Sequence, residues 1–199
     1  DGFTIRNGRY YKPEGIYEGA IVYVYGASPL IRNCTITDSF VSEYWCPTSI
    51  LTLINSSSMV SNCKLMRNNG CAGGALYTRN SSNVIENCEF TGNTSGSGGA
   101  ILMTNGAGSS TIRDCVFRNN YVGGSAGALY VQNTSVTVQR CEFRNNSAGQ
   151  QGGAVYVASS NWHPAVFENC AITGNYAGGN AAVASCWMPR IRLRPAGRR

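Results

Sequence analysis

Apolar residues recur along this chain in two settings. In the first they bracket a cysteine, three positions before it and two after it: Ile31, Cys34, Ile36, then Val60, Cys63, Leu65 and Ile85, Cys88, Phe90, and later Ile112, Cys115, Phe117, then Val138, Cys141, Phe143 and Phe167, Cys170, Ile172. The residue after the cysteine is usually polar, as with Thr35, Lys64, Glu89 and Glu142. Cysteine and the apolar residue two further on therefore face one way and the residue between faces the other, the period of a half-buried strand. The apolar residue three before the cysteine breaks this parity, and a two-residue bend, often ending in Asn, restores an inward direction for both. In the second setting a Gly-Ala pair opens an apolar run, as in Gly74-Ala75-Leu76-Tyr77, Gly99-Ala100-Ile101-Leu102, Gly127-Ala128-Leu129-Tyr130 and Gly153-Ala154-Val155-Tyr156.

The cysteines are spaced by 29, 25, 27, 26 and 29 residues. A fixed period in this range marks a solenoid, because one such unit has no second layer on which to bury its apolar face. Each unit reads as roughly three short strands separated by Gly- and Asn-rich turns. The expected fold is all-β, a single-stranded parallel β-helix of about seven coils of about 27 residues, stacked at about 4.8 Å. Five positions after the cysteine stand Ser39, Asn68, Asn93, Asn120, Asn146 and Asn175. The five asparagines are expected to form a ladder, each amide bonding to the next and satisfying turn groups buried away from water. The six cysteines Cys34, Cys63, Cys88, Cys115, Cys141 and Cys170 fall in one inward column. There they are expected to be small apolar fillers rather than bridges, because in-register side chains point alike and not at one another. Cys46 and Cys71 lie off this column on neighbouring turns and form the better candidate pair; the state of Cys186 is open.

The repeat fills residues 1–185, and residues 186–199 form an off-pattern basic tail. The second coil lacks the Gly-Gly-Ala triplet and carries an insertion with Trp45-Cys46-Pro47. The tail matters for charge. The formal net charge is +6, but five of the 16 Lys and Arg residues sit in positions 187–199 with no acid, leaving 11 basic against 10 acidic side chains elsewhere. A near-neutral body excludes the basic stripe that tracks phosphates, so no nucleic acid partner is expected. No run of 18 apolar residues is present, so no transmembrane helix is expected. The opening Asp1-Gly2-Phe3-Thr4-Ile5 already lies inside the repeat, which reads as a piece of a longer array.

The pairs Phe90-Thr91-Gly92-Asn93 with Gly98-Gly99-Ala100-Ile101, and Phe143-Arg144-Asn145-Asn146 with Gly152-Gly153-Ala154-Val155, carry a resemblance. They resemble the Phe-x-x-Asn and Gly-Gly-Ala-Ile motifs of polymorphic outer-membrane protein repeats, over about residues 60–185. The opening Asp1-Gly2-Phe3-Thr4-Ile5-Arg6-Asn7-Gly8 is similar to the start of many right-handed β-helix proteins of the pectate-lyase-like superfamily. The resemblance implies a right-handed coil and a secreted or cell-surface setting, at the outer membrane in a bacterial host. It does not fix activity, since adhesins and polysaccharide enzymes share this scaffold.

Polysaccharide lyases and hydrolases of this resemblance would require clustered carboxylates, yet only three aspartates occur, Asp1, Asp38 and Asp114. The best remaining pair is Glu89 and Glu142, in one outward column two coils apart. That separation of about 9.6 Å is the wide edge for an inverting hydrolase; the alternative is two solvated carboxylates beside Arg118 and Arg144. His163, the sole histidine, stands on a loop without an acid or nucleophile placed beside it by the repeat. No zinc spacing, phosphate loop or serine elbow occurs, and neither a cofactor nor a metal is expected. A second feature is the outward stripe Tyr77, Leu102, Tyr130 and Tyr156, whose tyrosines could stack sugar rings or dock a partner. Equally, that stripe could be a stacking ladder of the sheet or lie under a neighbouring segment. The expected function is a non-catalytic, adhesin-like or structural module binding polysaccharide or a surface protein along a sheet face. The alternative is a piece of a polysaccharide lyase or glycoside hydrolase.

Overall fold

A computed structural model describes residues 1–11, 20–42, 49–158, 163–179, 183–186 and 191–194, the last two segments and Ser42 by backbone alone. Among the described residues there is no helix. Three sheets of seven strands each, one of four and one of two run the length of a parallel solenoid. One coil illustrates the path. Leu76–Arg79 belongs to one long sheet, Val84–Glu86 to the second and Glu89–Thr91 to the third, and Thr94–Ser95 to the narrow fourth. The chain then passes through Gly98-Gly99-Ala100 and enters Ile101–Thr104, directly above Leu76–Arg79.

Each corner between these sheets contains one residue with positive φ: Asn80 (φ 50) after the first strand of the coil and Asn87 (φ 51) after the second. Asparagine tolerates this left-handed conformation, which explains its abundance at corners. Two corners are arginines, Arg67 (φ 52) and Arg140 (φ 51), and each is clamped by an aspartate at the equivalent level of the coil before. Arg67 donates to Asp38 through Nε at 2.7 Å and Nη2 at 2.9 Å, and Arg140 donates to Asp114 through both nitrogens at 2.7 Å. These guanidinium groups hold the carboxyls of Asp38 and Asp114 below the usual carboxylate range.

Stacking is in register, so like residues lie on like. Phe90, Phe117 and Phe143 form a file of parallel rings, with centroids 5.0 and 4.7 Å apart. Leu76, Ile101, Leu129 and Val155 form a second inward file, and both files lie in one continuous core. Leu51–Ile54 occupies this position in the second coil although Ser49-Ile50 stands where other coils have Gly-Ala. Ser49 compensates by donating its hydroxyl to the Gly73 carbonyl.

At the far end, Val183–Cys186 pairs with Val155–Ala158 and Ile191–Arg194 pairs with Ala165–Glu168. The first of these strands ends just past the repeat at Cys186, and the second lies wholly within the segment where the residue repeat has stopped. Parallel pairing is made by backbone groups, which do not require the repeat's side chains.

Candidate functional site

Every residue of interest takes its position from the same device, the vertical file. The six cysteines Cys34, Cys63, Cys88, Cys115, Cys141 and Cys170 are unbridged and stand in successive coils beside the core. Each thiol donates to a carbonyl two residues earlier, as Cys88 to Glu86 at 3.1 Å and Cys115 to Arg113 at 3.2 Å. Contact with the Cys88 thiol, then burial, raises the pKa of Cys63; contact with the Cys141 thiol leads the same upward shift in Cys115 and in Cys170. Cys63, Cys115 and Cys170 therefore pack as small apolar groups and are poor nucleophiles. The Cys46–Cys71 pairing falls outside the described residues, since Cys46 does, and the side chain of Cys186 also lies outside them.

The asparagine file is a closed network. Asn68 Nδ2 donates to Asn93 Oδ1 (3.1 Å), Asn93 to Asn120 (3.1 Å), Asn120 to Asn146 (2.9 Å) and Asn146 to Asn175 (2.9 Å). The second amide hydrogen goes to a carbonyl of the preceding coil, as Asn120 Nδ2 to Phe90 O at 3.0 Å. Each Oδ1 also accepts from the backbone N–H of the asparagine below, as Asn120 Oδ1 from Asn93 N at 2.9 Å. Both donors and the acceptor of every interior amide are used, which is what burial requires. Ser39 ends the file by donating its N–H to Asn68 Oδ1.

A second buried polar ladder has no counterpart in the sequence pattern. Ser56 N donates to Ser81 Oγ (3.1 Å), Ser58 N to Asn83 Oδ1 (2.9 Å) and Asn83 N to Ser110 Oγ (3.1 Å). Its residue type changes from coil to coil, so no column of one letter betrays it. Only the small polar residues just after the corners Asn55, Asn80 and Asn133 could have done so.

The two glutamates do share one outward file, Glu89 pairing across to Val116 and Val116 to Glu142. Their surroundings differ. Glu89 accepts a hydrogen bond from its neighbour Thr91 at 3.0 Å. Glu142 is held between Arg118 at 3.2 Å and Arg144 at 3.0 Å. One coil-face away, Glu86 accepts from Arg113 Nε at 2.7 Å. His163 is half-buried at the turn before Ala165–Glu168.

For the tyrosine stripe the structure favours the second of the two expectations, a stripe covered by a neighbouring segment, at Tyr77. Tyr77, Leu102, Tyr130 and Tyr156 do lie in one file, but Tyr77 is only 4% exposed and cannot present a ring face. It packs with Ala72 and Leu102 in a second apolar cluster outside the main core, with Tyr130 against it. Its hydroxyl shares a hydrogen bond with Thr104 at 3.1 Å. The shoulder segment that carries Ala72 turns this stretch of the outward face into an interior. Tyr130 and Tyr156 remain half-buried, meeting edge to face at 5.1 Å. More exposed tyrosines stand on the narrow fourth sheet, where Tyr121 is 51% and Tyr176 is 65% exposed, as they do near the start of the chain at Tyr11 and Tyr25. Tyr121 and Tyr176 stand in one file with Ser147 between them.

Parallel strands stacked in register around one core, with straight outward files of side chains, define a β-helix. The sequence matches the family described as the right-handed β-helix region over residues 2–151, and the chain belongs to that family. No curated protein and no solved structure matches it.

Proposed function

We propose that this chain is a non-catalytic module of an extracellular or cell-surface protein, binding a polysaccharide or a protein partner along a face of the solenoid. The observation that carries this reading is the register of the wall. Outward side chains of successive coils stand directly above one another, one strand spacing of about 4.8 Å apart, so the wall presents its contacts at a fixed interval along the axis. A polymer also repeats its contacts along its length. Tyr, Ser, Thr and Asn, side chains suited to such contacts, make up the file Asn69, Thr94, Tyr121, Ser147 and Tyr176, and the cell-surface setting accords with the Phe-x-x-Asn and Gly-Gly-Ala motifs.

An enzymatic reading rests on Glu89 and Glu142 sharing a file. Against it, Glu142 is engaged by two arginines and the two-coil separation of about 9.6 Å lies at the wide edge for hydrolysis. The test is an incubation of the protein with pectin, alginate and xylan, followed by reducing-sugar and unsaturated-product assays. No product is expected above a heat-treated control. Product that disappears in Glu142→Gln or Glu89→Gln would replace the binding module with a hydrolase or lyase.

A further inference from the structure

Resting on that reading, we infer that the narrow fourth sheet carries a saccharide site, with Tyr121 and Tyr176 as stacking platforms and Ser147 between them. The ligand class is a linear, uncharged glycan lying along the solenoid axis.

The file is continuous: Asn69 bridges to Thr94, Thr94 pairs with Tyr121, Tyr121 with Ser147 and Ser147 with Tyr176. Its orientation is fixed from behind, because the next residues, Val122 and Ala148, are fully buried. Period-two alternation then forces Tyr121 and Ser147 outward. The two rings are separated by two coil steps, about 9.6 Å. A serine between two tyrosines leaves a notch with a hydroxyl on its floor. The space beside Tyr121 is also open, since a methyl placed on Gly123 would meet no atom within 4 Å.

The chemistry of the file selects the occupant. A pyranose ring offers a C–H face and a rim of hydroxyls; the tyrosine faces suit the first, and the side chains of Ser147, Thr94 and Asn69 suit the second. A protein partner would require a contiguous apolar centre to its footprint, whereas here aromatic and small polar residues alternate. An anionic polymer would require free cations. The arginines nearest in sequence, Arg118 and Arg144, are both engaged by Glu142.

The test is affinity electrophoresis of the whole chain through native gels containing xylan, galactomannan, mixed-linkage β-glucan or pullulan. Three proteins are run side by side: wild type, Tyr121→Ser/Tyr176→Ser and Tyr130→Ser/Tyr156→Ser. Wild type is expected to be retarded by at least one polymer, and the Tyr121/Tyr176 variant to bind that polymer about tenfold more weakly. Both substituted rings are more than half exposed, so the variant's thermal melt is expected to match wild type. Unchanged retardation of the Tyr121/Tyr176 variant, with loss in the Tyr130/Tyr156 variant, would overturn this site and leave the binding module standing. Absence of wild-type retardation by all four polymers would overturn the glycan-binding reading along with the site.

Discussion

Adjacent asparagines in this chain do unrelated work. Asn119 adopts φ 53 and makes an exposed corner, whereas Asn120 is buried and links three coils. Its Nδ2 reaches Phe90 O and Asn146 Oδ1, and its Oδ1 receives two donors from Asn93. Asn120 has no positive φ, so a substitution there reports hydrogen bonding without a backbone penalty. Asn120→Ala strands both Asn93 donors in a dry turn and removes the side-chain donor to Phe90 O, at about 1–3 kcal/mol for each group left unsatisfied. The expected loss is on the order of 3 kcal/mol or more in chemical denaturation. Asn119→Ala, by comparison, costs about 1–2 kcal/mol through its left-handed backbone alone. Equal losses for the two variants would show that the buried amide file contributes little beyond shape.

At the scale of the element, the Gly-Gly-Ala segment has two glycines under different constraints. The first is conformational: Gly98 and Gly152 have φ 68 and 66, and the equivalent residue of the intervening coil is Ala126, at φ 71. The second is steric. A methyl on Gly127 would fall inside the Gly153 carbonyl oxygen and 2.7 Å from Ser147 N, both backbone atoms of the next coil. Gly127→Ala therefore has no side chain to push aside and must force neighbouring coils away from each other, an expected cost of about 3 kcal/mol or more. Ala126→Gly carries the opposite sign, a gain of about 0.5–1 kcal/mol as left-handed strain is relieved. Thermal melts of the two variants against wild type measure both; a tolerated Gly127→Ala would mean that adjacent coils stand further apart than this register places them. The sequence exposes this element because close backbone approach demands glycine in four successive coils, at Gly74, Gly99, Gly127 and Gly153. It does not expose the burial of Tyr77, which depends on the shoulder residue Ala72 of another segment. Nor does it expose the Ser56, Ser81, Asn83 and Ser110 ladder, whose backbone donors are met by side-chain oxygens of several residue types.

For the whole molecule, in-register stacking makes the coil the unit of structure, and this is why the fold was legible in the spacing of cysteines while the exposed face was not. Inward columns must repeat because each coil meets the same neighbours, whereas Tyr121, Ser147 and Tyr176 face solvent, where nothing in the stack selects a letter. The same property makes a strong statement about editing the chain. Deleting residues 89–115, one spacing of 27, joins Cys88 to Val116, the residue that already lies beside Glu89 in the stack. Phe117 then sits over Leu65 where Phe90 had been, and Asn120 over Asn68 where Asn93 had been, since each deleted residue's lower neighbour meets the next coil's equivalent. The shortened chain is expected to keep a β-rich circular dichroism spectrum and a cooperative unfolding transition, with a smaller denaturant slope because one coil less of surface is exposed on unfolding. Deleting only residues 89–101 supplies the contrast, because it would place Leu102 where the third sheet's strand begins and force core residues out of register in every later coil. A folded half-coil deletion alongside an unfolded full-coil deletion would contradict the stacked-coil architecture itself, since only the full coil restores each file.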